Sequence, residues 1–144
     1  MFDRLLHGMP EVESEWLQSP EKRPVLRIAL HGSYASGSAG KADKRSLQSL
    51  VTQEVQAFRS ENKIDGETRA VLDLTDYAYS WGDDFVDVID FFGLTRKYAL
   101  VVGPYCRRGI STLMKMNAET KYDCIEDEGI FLFLDEAVEY IRRL

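Results

Sequence analysis

Cysteine and histidine are scarce in this chain, with two of each in 144 residues, and proline occurs only four times. Cys106 and Cys124 form no CxxC pair and have no histidine close in sequence. Neither a zinc site nor a disulfide framework is therefore expected, and both cysteines read as free thiols. Positive charge is also in short supply. Eighteen Lys and Arg stand against twenty-four Asp and Glu, for a net charge of −6 and a pI near 5.0. A nucleic-acid surface needs clustered cations to displace counterions from phosphates. Arg107-Arg108 and Arg142-Arg143 are too short for that, so no nucleic-acid partner is expected. No apolar run approaches the roughly 18 to 20 residues of a membrane span, and residues 1–10 lack a basic segment followed by an apolar one. The expectation is a soluble cytoplasmic protein with no metal and no cofactor.

What the chain does have is apolar content, 44% of its residues, enough for one compact domain with a real core. The hydrophobic period alternates along it. Val25 to Leu30 reads as a strand, and Gly32 to Gly40 as a Ser/Gly/Ala-rich loop. Leu47, Leu50, Val51, Val55 and Phe58 share one face of a helix that Asp65-Gly66 ends. Ala70 to Leu74 is a second strand. Phe85, Val88, Ile89 and Phe92 make a second helical face before Gly93. Tyr98 to Val102 is a third strand, closed by Gly103-Pro104, and Ile110, Leu113 and Met114 mark a third helix reaching about Thr120. Tyr122 to Ile125 reads as a short last strand, and Ile130, Phe133, Leu134, Ala137, Val138 and Ile141 as a terminal helix.

Strands separated by helices lie parallel, because the chain must cross back to the same end of the sheet. The expected fold is α/β, with a mainly parallel sheet of four to five strands, about four helices, and Val71, Leu72, Leu74, Leu100 and Val101 at its centre. Residues 1–24 read as an N-terminal extension and 25–144 as the domain. Within the extension Phe2, Leu5, Leu6 and Met9 suit a helical turn, whereas Val12, Ser14 and Trp16 alternate as in a strand, which would be the first of the sheet.

Four constellations bear on function. Gly32 to Lys41 sits between strand and helix, but Ala35 and Ala42 occupy positions where a phosphate-binding loop needs glycine and a hydroxyl, so it reads as a plain loop. Asp83, Asp84, Asp87 and Asp90 crowd adjoining sides of one helix. Without loop carbonyls such carboxylates hold a cation weakly, and acids in a first turn complement the helix dipole. Ser80-Trp81-Gly82-Asp83 fits a helix-start box in which the serine oxygen accepts a backbone N–H. Its alternative is phosphorylation at the positive end of the helix, opposed by Asp83 and Asp84. Finally Tyr105-Cys106-Arg107-Arg108-Gly109-Ile110-Ser111 places a thiol beside two arginines at a helix start, the arrangement that activates a nucleophile. This stretch resembles the cysteine loop of rhodanese-type sulfurtransferases, although the Asp-x-Arg and Gly-His-Ile-Pro-Gly segments of that family are missing.

As a whole, Val25 to Leu144 resembles the STAS and SpoIIAA-like superfamily of anti-sigma-factor-antagonist type domains. The matching stretches are Val-Leu-Asp-Leu-Thr at 71–75, Ser80-Trp81-Gly82 before a helix, Leu-Val-Val-Gly-Pro at 100–104, and Asp-Glu-Ala-Val-Glu-Tyr-Ile at 135–141. Tyr77, Tyr79 and Trp81 resemble the SpoIIAA-like branch in particular. The resemblance implies a non-catalytic regulatory domain that binds a protein partner or a small ligand at the edge carrying Ser80 and Cys106. Tyr79, Ser80, Trp81, Gly82, Asp83 and Asp84 would form the contact, with the serine as phosphoacceptor in the kinase-switched branch. The alternative is a thiol enzyme using Cys106, with Arg107 and Arg108 for an anionic substrate.

Overall fold

The computed structural model describes residues 11–19, 22–33, 37–79, 89, 96–114, 123–126 and 128–144. Strands β1 (Glu11–Ser19) and β2 (Lys22–Ser33) are followed by helix α1 (Gly37–Glu61), β3 (Thr68–Leu74) and the short β4 (Tyr77–Ala78). Next come β5 (Arg96–Val102), α2 (Arg107–Met114), a 3-10 turn at Cys124–Glu126, β6 (Ile130–Phe131) and α3 (Leu134–Arg143). The sheet order is β1-β2-β3-β5-β6, with β4 paired to the end of β2. Only β1 runs antiparallel, and β2, β3, β5 and β6 are parallel to one another.

The parallel strands follow one another across the sheet without reversal. Right-handed crossovers in such an order all fall on one face, and the cores agree. Leu47, Val51, Val55 and Phe58 of α1, together with Ile110 of α2, pack on Leu26, Ile28, Leu72 and Leu100. Ile89, alone among 80–95 in being described, is helical and buried in the same cluster. The opposite face is left to α3, whose Ala137, Val138 and Ile141 cover Val25, Val71, Ala99 and Val101. The central strands thus bury both faces, which is why β3 and β5 read as continuous apolar runs.

Strand β1 is amphipathic because its faces meet different neighbours. Trp16 meets Phe58 of α1 edge to face, with ring centroids 5.8 Å apart. On the same side Ser14 Oγ donates to Glu54 Oε2 at 2.7 Å. Glu13 and Glu15, on the other side, are exposed. The alternation of Val12, Ser14 and Trp16 is that of a strand in the structure.

Several sequence expectations are corrected. Among the described residues the sheet has six strands rather than four or five: β1 supplies the fifth, as its alternation allowed, and the two-residue β4 is the unexpected one. Among the described residues there are three helices, and the predicted helix from Phe85 to Phe92 lies outside them except at Ile89. The expected loop at Gly32 to Gly40 gives way to α1 at Gly37, since small residues are tolerated in a first turn that has few intrahelical bonds to lose. Of the predicted strand at Tyr122 to Ile125, Tyr122 lies outside the described residues, and Cys124 and Ile125 belong instead to the 3-10 turn, with Glu126 N–H donating to Asp123 O at 3.0 Å. The last strand lies at Ile130–Phe131, where helical periodicity had suggested the terminal helix. Gly129 turns the chain at φ 86°, and its carbonyl accepts from Leu100 N–H at 2.8 Å, so the ladder captures residues whose spacing also suits a helix.

Candidate functional site

The carboxyl ends of parallel strands are where open α/β sheets carry their sites, because loops of varied sequence leave a rigid edge there. Here the edge is built from the segment after β3 and the turn after β5. Tyr79 N–H donates to Tyr105 O at 3.1 Å. Two glycines make the approach possible. A Cβ on Gly103 would stand 2.1 Å from Thr75 O, and one on Gly109 would stand 2.3 Å from Tyr79 O, far inside contact distance. Ser80 follows Tyr79 directly in the sequence, and Tyr79 is tied to the Cys106 loop. Ser80, Trp81, Gly82, Asp83 and Asp84 themselves lie outside the described residues, as do the further carboxylates Asp87 and Asp90.

Cys106 lies beneath this edge. It is fully buried, its Sγ–H donating to Leu74 O at 3.4 Å and lying 3.8 Å from Gly103 O. Burial pushes the thiol up to about 11, with the nearby Cys124 and Asp73 acting in the same direction and the Gly103 hydrogen bond against it. The flanking arginines do not converge on the sulfur. Arg107 grips Asp123 through two bonds, Nε to Oδ1 at 3.0 Å and Nη2 to Oδ2 at 2.5 Å. That pairing raises Arg107 and holds the Asp123 carboxyl below its ordinary range. Arg108 is exposed. Cys124 is also buried, which pushes its thiol up, and its N–H donates to Ser111 Oγ at 2.9 Å. What the edge turns outward is Tyr105, 68% exposed.

A charged network that sequence reasoning missed supports the same edge from the α3 side. Asp73, 4% exposed at the end of β3, accepts from Arg27 Nε at 2.9 Å, from Thr75 N–H at 3.0 Å and from Thr75 Oγ1 at 2.5 Å. Arg27 also reaches Glu15 at 3.1 Å. Burial works against the Arg27 charge, but the Asp73 hydrogen bond and the carboxylates of Asp73, Glu13 and Glu15 outweigh it and raise the guanidinium. His31 stands between Glu13 Oε2 at 2.8 Å and Asp76 Oδ2 at 3.7 Å. The only sequence signal was Asp73 itself, a charge inside an apolar strand. Its partner lies 46 residues away on β2 and is not adjacent until the strands pair.

Among the described residues no group of three or more His, Cys, Asp or Glu is placed to hold a metal ion. Nor is any helix among them long and apolar enough to cross a membrane. No protein-family model matches the chain, and neither a curated protein nor a solved structure does.

Proposed function

We propose that this chain is a non-catalytic binding domain of STAS/SpoIIAA-like type, whose edge at the carboxyl ends of β3 and β5 receives a protein partner or a small ligand. The observation that carries this reading is the state of Cys106. A thiol with no exposed surface, raised to about 11 and donating to a strand carbonyl, is a packing residue. The edge offers a rigid platform instead. Backbone bonds and glycine contacts lock the residues before Ser80 onto the Tyr105 turn, and an exposed tyrosine stands on it, a residue type enriched where proteins recognise one another. The motif resemblances around 71–75, 80–82 and 100–104 support the same class.

The test compares both functions of the edge. Thiosulfate-to-cyanide sulfur transfer is expected to be absent in the wild-type protein. A photoreactive benzoyl-phenylalanine in place of Tyr105 is expected to capture one defined species in the host cell, while the same label in place of exposed Glu61 at the end of α1 does not. Sulfur transfer lost in Cys106→Ser would overturn the proposal in favour of a thiol enzyme.

A further inference from the structure

The sheet ends at β6, and the outer side of that strand has no strand neighbour among the described residues. Leu100 pairs with Ile130 and donates its N–H to Gly129 O at 2.8 Å. In a parallel ladder this register directs the N–H and C=O of Ile130 away from β5, toward the open side. A groove of about 570 Å³ runs along that side. One wall is the consecutive stretch 128–133, and Ile125, Glu136 and Tyr140 close the other. Phe131 packs against Tyr140 with ring centroids 5.3 Å apart, while Phe133 is left 60% exposed.

Native sheets commonly blunt an edge with a very short strand, lysine or proline. β6 is short, but Ile130-Phe-Leu-Phe133 is uninterrupted apolar sequence, with neither lysine nor proline to discourage a visiting strand. The two charged residues that line the groove, Glu128 and Glu136, are both acidic. Residues 124–139 contain six Asp or Glu and no Lys or Arg, while Asp123 is paired with Arg107. The larger groove between β1 and α3, about 790 Å³, carries both signs, with Lys22 and Arg142 beside Glu15, Asp135 and Glu139.

We propose that the open edge of β6 and its groove dock an extended basic segment of a partner protein, added as a strand whose apolar side chains meet Phe133 and whose Lys and Arg meet Glu128 and Glu136. Backbone pairing supplies affinity in this mode, and the alternating side chains supply selection. The acidic rim rejects acidic segments and speeds the approach of basic ones. Tyr105 is not among the residues that line this groove.

The probe is a fluorescein-labelled ten-residue peptide alternating Val with Lys or Arg, followed by anisotropy at low and moderate salt. Saturable binding is expected, weakened by salt and lost when Glu replaces every Lys and Arg. N-methylation of alternate peptide bonds, which removes one edge of donors, is expected to weaken binding at least about tenfold. So is Phe133→Ala, a contact residue of the kind that dominates interfaces; its exposure means the melting temperature should hold. Glu128→Lys joined to Glu136→Lys should reverse the charge preference, and Glu61→Ala at the end of α1 should change nothing. The proposal is overturned by absence of saturable binding at about 1 mM peptide, by indifference to N-methylation, or by equal binding of the acidic peptide. Self-association of the protein in sedimentation that disappears in Phe133→Ala would assign the edge to a second copy instead.

Discussion

Arg27 on β2 reaches diagonally across the parallel ladder to Asp73 on β3, Nε to Oδ2 at 2.9 Å, two positions beyond its register partner Val71 and close to the end of β3. The same carboxylate accepts from Thr75 through both backbone and side chain. Asp73 therefore ties the start of the segment leading to Tyr79 to the second strand, and its burial makes the arrangement intolerant of losing one member.

Removing the carboxylate alone should expose this. Asp73→Ala leaves Arg27 half-buried without its main partner and is expected to cost about 3 kcal/mol. The double change Arg27→Met with Asp73→Leu should cost clearly less, because neither side chain then carries an uncompensated charge. Urea melts of Arg27→Met, Asp73→Leu and the double variant give the coupling. Strict additivity would show that the pair contributes nothing specific.

The close approach at Gly103 predicts a second contrast. Gly103→Ala drives a methyl group into Thr75 O, so the loop after β3 must move, at a cost of about 2 kcal/mol or more. Gly66→Ala meets nothing within 4 Å and should be neutral or stabilising by about 0.5 kcal/mol. Thermal melts distinguish them. Amide chemical shifts of Tyr79 and Tyr105 should also move in Gly103→Ala and stay put in Gly66→Ala.

Both thiols should be silent in the folded state. Ellman's reagent is expected to react with neither Cys106 nor Cys124 at neutral pH without denaturant, and with both in urea. Cys106 also predicts a dependence on alkali. Its folded value, about 11, lies above the unfolded 9.0, so the folded state retains the proton longer. The associated stability is fully present below pH 9.0 and declines as pH rises toward about 11. Cys106→Ala should flatten that part of the stability profile while lowering stability throughout.

The pair of Arg107 and Asp123 acts at the acid end. Asp123 is held below its ordinary 3.8 by the Arg107 hydrogen bonds. Its contribution is present above that unfolded value and is lost as pH falls through the lower folded one. Wild-type protein should therefore exceed Asp123→Asn in urea midpoint at pH 6, with the gap narrowing as pH falls below 3.8. A gap that persists unchanged in acid would mean that Asp123 acts through shape rather than charge.

How much of this molecule can be read from its sequence depends on how local each cause is. The strands around Val71 and Leu100, helix α1 and the bulk of α3 follow from periodicity, because a fully buried strand and a one-faced helix each impose a pattern on neighbouring residues. The α/β class and the central place of β3 and β5 come with them. The closeness of the Tyr79 segment to Cys106 is also anticipated, since both follow successive parallel strands. Tertiary structure decided the rest. Ile130 and Phe131 suit either a helix or a strand, and the ladder with Leu100 chose the strand. Asp123 leads into a 3-10 turn, and its side chain is held there by Arg107 of α2. Cys106 and its arginines spell a reactive loop in one dimension. Where Arg107 turns and how deeply the sulfur lies are set by Asp123 and Leu74, residues 16 and 32 positions away. Local sequence determines which elements form and which faces they bury; the charge state and exposure of a side chain depend on distant groups that meet it only after the sheet has closed.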